Sequence, residues 1–427
     1  MAIPVLRFPP RYGETPKLTD VQAQEVKSDG QTMWALHKSG HSREEGLLLS
    51  AEGVAIAVFF DGTRNLRSVQ RALYERYGQL LYVERIHELA SALYRCGLLD
   101  TSPPMPAGDE PTSPQRRSRV SQPSSHLRAA FHAGGAYEKD PDLLRQSIED
   151  FFAHPEGPGV VRPPDNDGPE LLGIVAPHID PQRGGIAYAH AYKAVAERSR
   201  ADLFVVFGTA HESPGELLTL TRRSYDTPLG AVPTDEEALA ILYAELGERI
   251  FKEEAAHDTE HSIEFQALFL RYLNEHRSIS MLPVLCSSLY RPPTSWPHPR
   301  EDPWIDRFLT ALAAATRGRR VTYIAAADLS HVGRMYGDDA GPTPEALQQL
   351  RTRDLESLDR VLDGDADGFF DHVAPDAAKR RICGLTPIYM LLRATEGAKG
   401  RLARYSQWVG TDEASAVTYA AVTIDQR

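Results

Sequence analysis

The sequence predicts an α/β protein: an α/β/α sandwich over residues 126–427, preceded by a small winged-helix-like domain over residues 1–100. Three observations lead there. The C-terminal part alternates short apolar runs with helical stretches, residues 101–125 are a Pro- and Ser-rich break, and the first 100 residues hold only short helical and strand-like segments.

Each element has a local reason. Residues 171–176, 203–207, 280–285 and 321–326 are apolar runs rich in Val, Ile and Leu, as in strands covered on both faces. Helical stretches over 187–197, 235–246, 262–273 and 304–315 lie between them, which argues for a largely parallel central sheet. Residues 402–409 and 415–424 read as a closing antiparallel pair. Nearer the N-terminus, the run 47–49 leads through Ser50 into the apolar run 54–60. Asp61-Gly62-Thr63-Arg64 is a turn signal, and Ser68 is a candidate cap for a helix beginning at Val69. Val83, Ile86, Leu89 and Leu93 recur at helical spacing up to Cys96, and Gly97 ends the pattern. The break, TSPPMPAGDEPTSPQRRSRVSQPSS, cannot bury a core and reads as an exposed linker.

Composition removes several classes of function. With 42% hydrophobic residues the chain can build cores, which excludes disorder over its whole length. Fifty-nine acidic against 47 basic residues leave a net charge of −12, unsuited to a nucleic-acid groove. No apolar run is long enough to span a membrane, and the first residues lack the apolar stretch of a secretory signal. Three cysteines (Cys96, Cys286 and Cys383) are too few for a disulfide framework, so a reducing cytoplasm is expected.

In an open α/β sheet, ligands bind beyond the carboxyl ends of the strands. The first predicted strand is followed by Pro177-His178-Ile179-Asp180 and the second by Gly208-Thr209-Ala210-His211-Glu212. The fourth is followed by Ala327-Asp328-Leu329-Ser330-His331. Three strand ends thus deliver a histidine with a carboxylate nearby, and at least two of them are expected to share a site. His261 stands at the apparent start of a helix, which Thr259 or Ser262 would cap; a merely polar helix start is the plainer reading. Cys383 precedes a Gly turn and a helix over 388–392, where the positive helix end would favour thiolate and metal ligation. A lone cysteine is more often a small buried hydrophobe, and Cys96 and Cys286 are read that way. Gly184-Gly185 would let a backbone approach a ligand. The sequence contains no Walker loop, no GxGxxG after a strand, no HExxH and no GxSxG.

The segments PHID…GGIAYAHAYKAV, FGTAHES, YDTPLGAVPTD, DTEHSIEFQ, LPVL, AAADLSHVG, ICGLTPI and SAVTYAAV stand in the order and register of the Memo family. FHAGGAYEKDPDLLRQSIEDFF resembles that family's opening motif, so the resemblance covers about residues 127–427. It resembles the bacterial members called AmmeMemoRadiSam system protein B. The resemblance implies a fold similar to the class III extradiol dioxygenases and one metal ion, iron or copper, with zinc less favoured. It implies His178, His211 and Cys383 as ligands. It also implies that His261, Asp328 and His331 line the same pocket behind the ligands or in proton transfer, with His132 as the histidine of the opening motif. Two departures stand out. PHIDPQRGG replaces a family pattern containing tyrosine, and Glu212 stands where the family has a second histidine. Residues 40–102 resemble the PqqD-like winged-helix family, whose members often bind peptides or partner proteins; the resemblance to the bacterial Memo members implies a radical-SAM pathway partner.

Two imidazoles and a thiolate suit iron or copper, so a metal-dependent redox enzyme is the leading expectation. A non-enzymatic metal- or partner-binding protein is the second reading. The third is zinc-assisted hydrolysis, since Cys/His/His plus water is also a catalytic zinc arrangement.

Overall fold

The computed structural model describes residues 15–28, 31–39, 46–64, 66–77, 86, 89–90, 92–94, 96–100, 126–162, 170–211, 215–289, 298–410 and 414–426. The expected linker over 101–125 and the substitution at Glu212 lie outside them. Internal contacts divide the chain into two units, Met1–Ser121 and Gln122–Arg427.

The first unit contains a three-stranded antiparallel sheet of β1 (Val21–Ser28), β2 (Gln31–Lys38) and β3 (Leu47–Leu49). α1 (Ala51–Ala57) follows at once because the Ser50 side chain accepts from the Gly53 amide and caps it. α2 (Leu66–Tyr77) begins earlier than expected, so Ser68 is its third residue and not its cap. Leu36, Leu49, Ile56, Phe60, Val69, Leu73, Ile86 and Leu93 form this unit's own core. Cys96, expected on a buried helical face, is exposed.

The second unit is built on an eight-stranded mixed sheet. It opens with β4 (Leu127–Arg128) and α3 (Pro141–Ala153), followed by β5 (Leu171–Ala176), α4 (Pro181–Arg198) and β6 (Leu203–Thr209). Next come β7 (Leu218–Leu220), β8 (Ser224–Tyr225), α5 (Glu236–Leu246), α6 (His261–Leu273) and β9 (Ser280–Cys286). α7 (Pro303–Ala315), β10 (Val321–Ala326), β11 (Asp328–Gly333), α8 (Pro344–Leu362) and α9 (Ala366–Val373) continue the chain. α10 (Ala377–Arg380), α11 (Leu385–Ala394), β12 (Lys399–Val409) and β13 (Ser415–Asp425) close it. Strand order is β11-β13-β5-β10-β6-β9-β7, with β12 also on β13; β4 pairs separately with β8.

Within the eight-stranded sheet only the central strands β5, β10, β6 and β9 are mutually parallel. The expectation of a largely parallel sheet is corrected at both edges, where β7 runs against β9 and β13 runs against β5, β11 and β12. Side chains alternate across the sheet. Val175, Val205 and Ala325 join one apolar cluster with Phe308 of α7 and Leu391 of α11. Ile174, Val206 and Ile324 join another with Tyr192 of α4 and Phe269 of α6. Helices therefore cover both faces of the central strands, which explains their continuous apolar runs. The glycine pair in α4 allows this close packing: an added Cβ at Gly184 would lie 2.5 Å from the Ile179 side chain. At Gly185 it would lie 2.5 Å from the Phe151 ring of α3.

Candidate metal centre

The parallel register places the expected residues at one edge. Ala176 of β5, Ala326 of β10 and Gly208 of β6 are aligned, so His178, Asp328 and His211 emerge side by side within three residues of that line. α6 is brought over the same edge by a close approach: a Cβ at Gly208 would lie 2.4 Å from Ile263, and Ser262 Oγ donates to Thr209 O at 2.8 Å. His261 is the first residue of that helix. Its cap is neither Thr259 nor Ser262, but Glu260, whose carboxylate accepts from the Ser262 amide. The loop carrying Cys383 sits equally close, since Gly384 N–H donates to Asp328 O at 3.1 Å and a Cβ there would lie 2.4 Å from that oxygen. α11 begins at Leu385, three residues before the expected start.

Hydrogen bonds fix which ring nitrogens face inward. His178 Nδ1 lies 2.9 Å from Ala326 O; a carbonyl only accepts, so Nδ1 carries hydrogen and Nε2 faces the site. His211 Nδ1 donates to Glu260 at 3.1 Å, and the His211 amide donates to the same carboxylate at 2.9 Å. His261 Nδ1 lies 3.2 Å from Glu260 Oε1. One carboxylate thus backs two imidazoles, whose rings stack 4.6 Å apart. One donor atom each from His178, His211 and His261 lies within 4.8 Å of the others, a cluster able to hold a metal ion. Cys383 Sγ is 3.2 Å from His178 Nε2. Asp328 Oδ1 accepts from the His178 amide at 2.9 Å, and Oδ2 stands 3.8 Å from His178 Nε2.

The electrostatics follow from these contacts. Burial disfavours the charged form of His178, but the Cys383 sulfur and Asp328 outweigh it and raise its pKa to about 9. Burial likewise works against the Cys383 thiolate, yet His178 and His331 bring its pKa down to about 5. The low thiol pKa expected from a helix end therefore has a different source, the neighbouring imidazoles. Burial is also outweighed at His211, which Glu260 and Cys383 hold protonated well above the ordinary range. At His261 burial prevails, aided by the other histidines against Glu260, and the ring is driven well toward the neutral form.

Further supports surround the centre. His331, on β11, donates from Nδ1 to Arg381 O at 3.1 Å, while the Arg381 guanidinium donates to His331 O at 3.2 Å and to Asp338 at 2.6 Å. Arg381 holds φ of 52°, the single non-glycine residue with positive φ among the described residues. A residue two positions before Cys383 is thus tied to β11 in a conformation costing about 1–3 kcal/mol. Behind α6, the fully buried Arg128 pairs with Glu264 and donates to the carbonyls of His257 and Glu260, both at 2.8 Å. Glu264 also accepts from the His132 amide at 2.9 Å and from Tyr137 Oη. His132 is buried here, its ring 5.8 Å from that of His261.

The structure therefore gathers His178, His211, His261, Asp328 and Cys383 at one sheet edge, with His331 and His132 against it. Cys286, at the end of β9, is buried, and burial alone pushes its thiol pKa up. Sequence reasoning missed Glu260, Arg381 and the Arg128–Glu264 pair. Glu260 had a signal, being the acid immediately before a helix-starting histidine; Arg381 and Arg128 had none.

Fold and site together define a mixed α/β protein in which strand ends, a helix start and a loop bring several histidines and one thiol to a single centre. The chain belongs to the Memo family: the family described as "Memo-like protein" matches residues 128–423. A MEMO1 family protein of Methanopyrus kandleri is 31% identical over 69% of this chain and 98% of its own length. One from Methanosarcina mazei is 29% identical over 60% of this chain and 86% of its own. One from Aquifex aeolicus is 25% identical over 85% of this chain and 88% of its own.

Proposed function

We propose that this protein binds one iron or copper ion through His178, His211 and Cys383 and uses it in redox catalysis. One observation carries the reading: Cys383 Sγ lies 3.2 Å from His178 Nε2, while the outer nitrogens of both ligand histidines are committed to acceptors. The donor set fits such an ion. Both rings offer Nε2, the thiol is held as thiolate at neutral pH, and thiolate with imidazole disfavours magnesium and calcium. Bound there, the ion would supply one-electron chemistry and a position for substrate.

The chain's own residues would orient and protect that centre. Ala326 O and Glu260 fix the ligand rings, as outer partners of metal-binding histidines do. His331, whose Nδ1–H is held by Arg381 O, keeps Nε2 to take or give a proton beside Cys383. Asp328, 1% exposed, supplies a second buried acceptor next to His178. The N-terminal unit, which has its own apolar core, we read as a PqqD-like module for a peptide or protein partner.

Metal analysis of anaerobically prepared protein tests the reading. Iron or copper at one per chain is expected, with occupancy falling sharply in His178→Ala, His211→Ala and Cys383→Ala and unchanged in Cys286→Ala. An emptied site in Cys286→Ala with a full one in Cys383→Ala would show that the wrong sulfur had been chosen. Zinc alone, with hydrolytic activity, would replace redox chemistry by hydrolysis.

A further inference from the structure

We propose that the centre holds two overlapping donor sets sharing His178 and His211: a thiolate set completed by Cys383 and an all-imidazole set completed by His261. The second set would keep a divalent ion of the zinc or cobalt kind bound when the sulfur is lost. This rests on the reading above for the thiolate set, including the two shared histidines.

The geometry points to His261 as a donor in its own right. Its donor atom belongs to the group of three imidazole atoms that lie within 4.8 Å of one another. An ion equidistant from three atoms at that limit would sit about 2.8 Å from each, so an inward shift of about 0.7 Å reaches ordinary zinc–nitrogen distances.

Each ring is already turned for the task. His178 Nδ1 is spent on Ala326 O, and Nδ1 of both His211 and His261 faces Glu260, so all three rings keep Nε2 for the common space. The His178 ring stands nearly perpendicular to the other two, at 87° and 83°. The His178 lone pair therefore approaches across those of His211 and His261, whose rings stack 4.6 Å apart with 21° between their planes. His261 is also rigidly mounted, on the first turn of α6 with Glu260 as its cap and Ser262 bonded to β6.

The two sets differ in what they would hold. Sulfur makes the Cys383 set the softer one, suited to copper and iron. Three imidazoles form a harder set that suits zinc and cobalt(II). His261 would then be silent in the intact centre and decisive once the thiolate is removed.

Cobalt(II) titration of metal-free protein separates the sets, because a thiolate ligand adds an intense near-ultraviolet charge-transfer band and imidazoles alone do not. Wild type and His261→Ala are expected to bind one cobalt per chain with that band. Cys383→Ser should lose the band and still bind one cobalt with visible ligand-field absorption. Cys383→Ser/His261→Ala should weaken binding by more than ~100-fold beyond Cys383→Ser, exceeding what loss of an outer hydrogen-bonding group costs. Circular dichroism and melting establish that each variant is folded, and Cys383→Ala replaces Cys383→Ser if the latter is not. A folded Cys383 variant that binds no cobalt, or a double variant that binds as well as the single one, would overturn the proposal. A wild type without the charge-transfer band, binding cobalt no better than Cys383→Ser, would remove the thiolate set and overturn both this proposal and the reading above.

Discussion

Burial raises the pKa of a thiol, and at Cys286 nothing opposes it. At Cys383 the same burial is outweighed by His178 and His331, so the pKa falls to about 5. Metal-free protein treated with a thiol-alkylating reagent at pH 7 should therefore react at Cys383 and not at Cys286, with the exposed Cys96 as an internal reference. The Cys383 rate should drop as pH falls below about 5. Mass mapping of the labelled peptides checks this; a Cys286 that reacts first would contradict the assigned environments. The histidines set a second pH dependence. His178 stays protonated up to about 9 without metal, and His211 is also held protonated, so binding an ion must expel those protons. Affinity should then rise with pH below about 9, by up to roughly tenfold per unit for each proton released. Isothermal titration in buffers of different ionisation enthalpy counts the protons. Binding that is independent of pH between 6 and 8 would exclude His178 as a ligand.

Elements place these residues, and some elements were readable where others were not. β5, β6, β9 and β10 were legible as apolar runs because both faces are covered, and the histidines after β5, β6 and β10 were found by looking past their ends. β11 escaped because Asp328, Ser330 and His331 are all buried polar residues. Ser330 is satisfied by Asp354 at 2.7 Å, and Asp354 also accepts from Thr418 at 2.6 Å and from Tyr405 at 2.9 Å. Such pairings lie far apart in the chain, and no local pattern announces them. α8 escaped for a related reason, since Asp354 and Ser357 interrupt its buried stripe of Leu350, Leu358 and Val361. The start of α6 depends on the buried Arg128–Glu264 pair, which no spacing rule would connect. Removing one member leaves the other charge buried and unpaired, so Glu264→Ala should cost about 3–5 kcal/mol in chemical denaturation. Gly208→Ala acts at the same junction. A Cβ 2.4 Å from Ile263 should lift α6 from β6, lowering stability by about 1–3 kcal/mol and loosening the site. A Gly208→Ala protein with unchanged denaturation midpoint and metal affinity would show that the helix can yield.

At the scale of the molecule, alternation of strands and helices was enough to indicate an α/β architecture, while the antiparallel edges were not. A strand's direction depends on which neighbour it finds, and β13 finds three: β5, β11 and β12. Composition leads to the expectation of a break over residues 101–125, from their Pro, Ser and charge. Contacts place the boundary between units at Ser121, inside that stretch. The first unit has its own core of Leu36, Phe60, Val69 and Leu93, and the second is organised around its sheet, so each has the apolar interior that independent folding needs. Residues 101–125 contain Arg116, Arg117 and Arg119, three trypsin sites in a Pro- and Ser-rich sequence. Brief trypsin treatment of the metal-loaded full chain should cut there first and leave a stable fragment beginning near residue 120. All the proposed ligands lie beyond that point, so the metal should travel with this fragment at undiminished stoichiometry. Early cleavage within residues 171–330, or loss of the metal on cutting at 116–119, would mean that the second unit does not hold its centre unaided.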